Sequence, residues 1–285
     1  MKCVVVEIPI ITAARNLIFI KIMKRKLFIV VLFVYPFAIS ITSAQTVALD
    51  YYFNHETHIG KNGEAQRFHY MWEDNANSGF SIWGNIFKSQ GAKLTSIDVA
   101  PTQQRLKETG IYIIVDPDTK KENPNPNYIN PVDAGNIAAW VKAGGVLVMM
   151  ANDSANVELE HFNILAGKFG LHFNNDMQNH VIDDAHFNDG AVTINDNAIF
   201  KTAQKPFMKD VCSITISGTA KPILQSTSGA TIAVVTGYGK GTVFAVSDPW
   251  FYNEYVNGRL PAGFDNDKAA ADLAGYLMSK IQSIN

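Results

Sequence analysis

The chain has 285 residues, 47% of them apolar and 18% charged, a balance that supports a buried core and excludes a disordered or low-complexity protein. Residues 1–44 hold six Lys/Arg and one acid, so the part from Gln45 onward keeps 18 basic and 25 acidic residues and a formal charge of −7. That charge disfavours nucleic acid and anionic membrane as partners, because both are bound through clustered positive charge.

The N-terminal stretch has the layout of an export signal. Lys24, Arg25 and Lys26 precede an apolar run from Leu27 to Ile41, and Thr42 and Ala44 supply the small residues that a signal peptidase requires. Cleavage is expected between Ala44 and Gln45, giving a periplasmic or secreted protein. The run contains Pro36 and falls short of the roughly 20 residues of a bilayer span, so no membrane association is expected after its removal. Met1–Ile22 is an unusual extension ahead of such a signal and suggests that translation starts at Met23. The remainder, residues 45–285, is expected to be one α/β domain. Only Cys212 remains in it, so no internal disulfide forms there. Cys212 alternates onto the face of Ile214 and Ile216, as a buried small hydrophobe would.

In chain order, Val47–Phe53 predicts a first strand. A polar, aromatic stretch follows from His55 to Asn77, and then a helix capped by Ser78 that runs to about Gln90, where Gly91 stops it. Lys93–Val99 predicts a strand, Pro101–Thr109 a short helix, and the fully apolar Ile111–Val115 a strand covered on both faces. A loop rich in Pro, Asn and charge leads to Asn130-Pro131, which starts a helix to Val141, stopped by Gly144-Gly145. Val146–Met150 is another apolar strand, and Glu158–Phe169 a helix with Leu159, Phe162, Leu165, Ala166 and Phe169 at helical spacing. Short alternating segments follow (Ala191–Ile194, Val211–Ile216, Pro222–Gln225, Thr231–Val235) and predict antiparallel strands extending the sheet edge. Gly237–Gly241 turns the chain into a last central strand, Thr242–Val246. A closing helix starts near Asp265 or Asn266. The alternation predicts a doubly wound, mainly parallel sheet of flavodoxin-like type with an antiparallel edge extension.

In such sheets ligands bind beyond the carboxyl ends of the strands. Polar residues are densest there: Asn54, His55 and Glu56 after the first strand, then Asp116, Asp118 and Glu122, then Asn152, Asp153 and Glu158, and finally Asp248, Trp250, Tyr252, Asn253 and Glu254. Hydrophilic turns would look similar. The interleaved aromatics, with Tyr70 and Trp72 in the long loop, suit sugars, whose C–H faces stack while their hydroxyls pair with carboxylates and amides. Trp250 reads either as a rim platform or as a core residue under the last helix.

Sharper motifs fail. His55-Glu56-Thr57-His58 lacks a third metal ligand at a defined spacing. Glu158 and His161 form an i, i+3 pair that is not repeated on another helix, as a di-metal carboxylate site requires. Gly237-Tyr-Gly-Lys-Gly241 joins two strands and reads as a hairpin rather than a phosphate loop. There is no Gly-x-Ser-x-Gly elbow, so neither a cofactor nor a metal is expected.

The stretches VALDYYFNHE, RFHYMWEDNANSGFSIWGNIF, YIIVDPD, WVKAGGVLVMMANDSANVELEHFN and GKGTVFAVSDPWFYNEY resemble an accessory domain found with Bacteroidetes unsaturated rhamnogalacturonyl hydrolases of glycoside hydrolase families 88 and 105. The resemblance covers essentially all of residues 45–285. It implies a class I glutamine amidotransferase-like fold and a pectin-related role in polysaccharide utilisation. It does not carry over catalysis. The hydrolases' helical toroid is missing from this chain, and Ala151-Asn152-Asp153-Ser154 stands where the amidotransferase cysteine would follow the fourth strand.

The expected ligand is an acidic oligosaccharide of pectin or rhamnogalacturonan type, with Arg67, Lys121 and Arg259 as candidate partners for its charge. The other readings are a hydrolase of a sugar ester or glycosidic bond, with Asp153 and Asp248 as acid and base, and a non-catalytic assembly domain for a separately encoded glycoside hydrolase.

Overall fold

The computed structural model describes residues 45–281, so the predicted leader lies outside the described residues. Five parallel strands form the centre of the sheet: β1 (Thr46–Asp50), β4 (Lys93–Ile97), β5 (Ile111–Val115), β6 (Val146–Met150) and β11 (Gly241–Val246). The hairpin strand β10 (Thr231–Tyr238) and the edge strand β9 (Lys221–Gln225) continue it antiparallel, giving the order β4-β1-β5-β6-β11-β10-β9. Counting the parallel strands alone, this is the 2-1-3-4-5 order of flavodoxin-like sheets. The doubly wound α/β fold expected from the alternation is therefore the fold observed.

Helices α1 (Ser81–Ser89) and α5 (Asn266–Lys280) cover one face, packing Trp83, Phe87, Leu273 and Leu277 against Val47, Ile113 and Val148. Helices α3 (Pro131–Ala143) and α4 (Leu159–Ala166) cover the other, with Ile137, Val141, Phe162 and Leu165 against Tyr112, Leu147 and Ala245. The short α2 (Gln103–Leu106) adds Leu106 to this second layer. Because both faces are buried, β5 and β6 can be apolar at every position.

Local chemistry sets the element ends. Asn130 accepts from the Val132 and Asp133 N–H groups in a capping box, and Gly144 closes α3 at φ 131°. β1 stops at Asp50, earlier than its aromatic sequence suggests. The Asp50 carboxylate accepts from the N–H groups of Tyr52, Phe53 and Asn54 and curls the chain off the sheet. Helix α1 begins at Ser81 rather than near Ser78, whose hydroxyl donates to Asp74 instead. Helix α5 is preceded by Asp265, but that carboxylate accepts from Gln204 and Lys205 N–H groups and holds a neighbouring loop.

The antiparallel expectation needs correction in two places. Ile214–Ile216 (β8) pairs with Leu171–Phe173 (β7) in a separate ladder rather than extending the main sheet, and Ala191 makes only a single bridge, to Phe207. A further hairpin, β2 (Thr57–Ile59) with β3 (Ala65–Arg67), lies in the stretch read only as a polar, aromatic loop. Its strands are too short and too exposed to show a buried alternation.

Candidate functional site

A small cleft opens at the carboxyl ends of the parallel strands, where the chain order reverses between β1 and β5. The connections that leave four of the five parallel strands supply its wall. Glu56, His69 and Tyr70 come from the β1 connection, and Asp116 and Glu122 follow β5. Asn152 and Asn156 follow β6, and Trp250 follows β11. The enclosed volume is about 80 Å³.

The wall is tightly bonded on its outer side. His69 Nδ1 lies 2.6 Å from Glu56 Oε1, and the Tyr70 hydroxyl donates to Asp116 Oδ2 at 2.8 Å. The Trp250 indole N–H faces the same hydroxyl. Two buried oxygens, Asp116 Oδ1 and Asn152 Oδ1, receive no hydrogen bond from the protein. Such atoms are rare in protein interiors and mark either strain or a ligand position. The backbone adds strain at the same place. Among the described residues six non-glycine positions have positive φ, and three of them, His69 (61°), Tyr70 (43°) and Asp116 (33°), belong to this wall.

Electrostatically the cleft is acidic. Burial pushes the Asp116 carboxyl well above its usual range; Tyr70 partly offsets this by donating to it, while Glu122 and Asp248 raise it further. None of the wall residues is Lys or Arg. Arg67 lies over the Tyr51 ring at 3.4 Å, Arg259 pairs with Asp184 at 2.6 Å, and Lys121 is exposed. The cations expected to meet an acidic sugar are thus elsewhere.

Of the residues singled out from the sequence, Glu56, Tyr70, Asp116, Glu122, Asn152 and Trp250 line the cleft. The others support it from behind or stand apart. Asn54 donates to the Asp116 carbonyl at 2.8 Å, and Asp118 accepts from His55 N–H at 2.9 Å and from Asn123 at 2.8 Å. Burial raises Asp118 to about 6. The His55 ring pairs with the Tyr51 carbonyl. Asp153 accepts from Ala155 N–H and from the Asn156 amide, both at 2.8 Å, which seats Asn156 in the wall. Asp248 is fully engaged by the N–H groups of Trp250 (2.7 Å) and Lys209 (3.2 Å), and burial lifts it to about 8. Neither Asp153 nor Asp248, expected as acid and base, lines the cleft; both carboxylates shape the loops after their strands.

Tyr252 is a core residue stacked on Trp83 at 4.9 Å. Asn253 caps the following turn through Tyr255 N–H, and Glu254 accepts from Ser81 and Ile82 at the start of α1. Trp72 is likewise buried, its indole N–H donating to the Thr95 carbonyl. Trp250 itself is half-buried. Tyr255 stacks on it at 4.7 Å and Lys209 Nζ lies 5.0 Å from its ring, so it is a wall of the cleft rather than an open platform. His69 escaped notice in the sequence because its pairing with Glu56 depends on the β2–β3 hairpin folding back.

Two other features are set aside on chemistry. Glu158, Glu160 and His161 bring ligand atoms within 4.8 Å of one another, but Glu158 caps α4 and pairs with His161, whose ring stacks on Tyr128. A groove of about 480 Å³ between residues 191–197 and β9 is lined without any titratable side chain. Among the described residues no helix is long and apolar enough to cross a membrane.

The fold and the cleft together define a doubly wound α/β protein with a small polar depression at its topological switch point. No protein-family model matches the chain, and no curated protein matches it either. Among solved structures it is similar to the mmIFT52 N-terminal domain (TM-score 0.57, 14% identity, covering 85% of this chain and 100% of that one). It is also similar to the cytoplasmic protein STM1381 of Salmonella typhimurium LT2 (0.54, 13%, 84% and 100%). A third similar structure is a β-galactosidase from Bacillus circulans sp. alkalophilus (0.51, 10%, 83%), of which this chain spans 31%. At these identities the likeness establishes the fold, which in the β-galactosidase is part of a longer chain.

Proposed function

We propose that the cleft binds the edge of a sugar, in keeping with the carbohydrate association expected from the sequence. The observation that carries this is the pair of buried, unpartnered acceptors, Asp116 Oδ1 and Asn152 Oδ1, beside the aromatic walls Tyr70 and Trp250. A monosaccharide ring is larger than the enclosed space, so one substituent enters while the ring rests at the mouth. The acidic wall and the absence of Lys and Arg from it argue against a uronate at this position. Within a pectic ligand the neutral residues are the better candidates. A panel of monosaccharides and pectic oligosaccharides tested by calorimetry is expected to show binding that Asp116→Asn or Trp250→Ala weakens at least tenfold. Failure of every sugar to bind removes this reading.

A specific pair of groups also favours a hydrolase. His69, oriented by Glu56 at 2.6 Å, can take a proton from water, with the Asp116 carboxyl, raised by burial, on the same wall. Release of nitrophenol from aryl glycosides or sugar esters, lost in Glu56→Gln, tests it.

A further inference from the structure

The wall of the cleft has a polarity that the sugar reading leaves unexplained. Its two unpartnered buried atoms are both acceptors, and both belong to side chains at most 4% exposed: Asp116 and Asn152. Beside them stand the carboxylates of Glu56 and Glu122. Glu122 keeps one oxygen on Thr119, whose N–H and hydroxyl donate to it at 3.0 and 2.8 Å, and so is held in place. A hydroxyl entering here could satisfy one acceptor but would turn its own lone pairs toward carboxylates. A group that carries donors only, with positive charge, would satisfy both and neutralise the wall.

We infer that the substituent received by the cleft is a protonated amine, so that the ligand class is an amino sugar or another compact primary ammonium compound. This rests on the sugar reading for the ring, but not for the ammonium group. The volume of about 80 Å³ admits an ammonium-bearing carbon and excludes an N-acetyl group together with its ring. Asp116 is faced by Tyr70 on its own side of the cleft, by Glu122 from the same connection, by Asp248 from the β11 connection and by the Asn152 N–H after β6.

The experiment is calorimetry of the purified protein with glucosamine, glucose, N-acetylglucosamine and ethanolamine. Glucosamine is expected to bind at least tenfold more tightly than glucose or N-acetylglucosamine. Glu122→Gln, which keeps the shape of the side chain, should weaken glucosamine by about tenfold and narrow its advantage over glucose, and Asp116→Asn should weaken glucosamine by at least as much. Glucose binding as tightly as glucosamine overturns the amine and keeps the sugar reading. Ethanolamine binding as tightly as glucosamine supports the amine while removing the sugar reading. Binding by none of the four overturns the amine.

Discussion

Trp250 and Trp83 show how similar residues take different duties. Trp83 is fully buried between the sheet and α5, its indole N–H on the Ala270 carbonyl at 3.3 Å. Trp83→Ala should therefore cost about 3–5 kcal/mol, read as a large fall in the denaturation midpoint. Trp250 is half-buried and borders the cleft. Trp250→Ala should cost under about 2 kcal/mol and remove most of the ligand affinity in calorimetry. Equal destabilisation by the two substitutions would place Trp250 in the core. Cys212 belongs with the silent residues. It is buried among Phe173, Ile214 and their neighbours, and burial pushes its thiol up, away from the reactive thiolate.

At the level of elements, α1 depends on a residue far along the chain. Its N-cap, Phe80, has no side chain able to accept a hydrogen bond. The Ile82 N–H, in the first turn, is instead satisfied by Glu254 at 2.9 Å, and the Ser81 hydroxyl donates to the same oxygen. Glu254→Ala should thus destabilise the protein by about 1–2 kcal/mol in urea unfolding, the loss expected for a helix cap. Because Glu254 follows Trp250 in one connection, the same contact joins α1 to the wall of the cleft. The β10–β11 hairpin is constrained by approach rather than by caps. A Cβ at Gly241 would lie 2.0 Å from the Val141 carbonyl oxygen at the end of α3 and 2.4 Å from that of Gly145. Gly241→Ala should accordingly cost about 3 kcal/mol, measured in the same way.

For the whole molecule, the buried carboxyls set the response to pH. Burial raises Asp50 and Asp118 to about 6 and Asp248 to about 8, and Asp116 moves in the same direction. Each binds its proton more tightly folded than unfolded. Its stabilisation is complete below the unfolded carboxylate pKa of 3.8 and is lost as pH rises through the folded value. Hydrogen bonds to Asp176 lower its pKa, so its contribution has the opposite sign and fades only as pH falls below the usual carboxylate range. Thermal melts should therefore show stability declining from about pH 5 to about pH 8, by up to about 1.4 kcal/mol per pH unit for each fully linked group. Asp248→Asn should flatten the upper part of that decline. A melting temperature that rises across the same range contradicts the assignment of these groups as buried acids.

Fold class and strand positions could be read from local patterns. Runs such as Ile111–Val115 and Val146–Met150 are apolar at every position because both sheet faces are covered, and Asn130-Pro131 and Gly144 punctuate a helix through backbone preferences that act within a few residues. The general location of the cleft followed from topology, since polar segments after parallel strands must gather at one end of the sheet. The role of each polar residue did not follow. Asp116, Asp153 and Asp248 stand in similar places after consecutive strands, yet only Asp116 keeps an oxygen toward the cleft, while the other two accept from nearby N–H groups. Glu254 and Tyr252 look like rim residues until α1, about 170 positions away, is brought against them. Which partner a carboxylate meets depends on contacts between distant segments, and such contacts leave no periodicity in the chain.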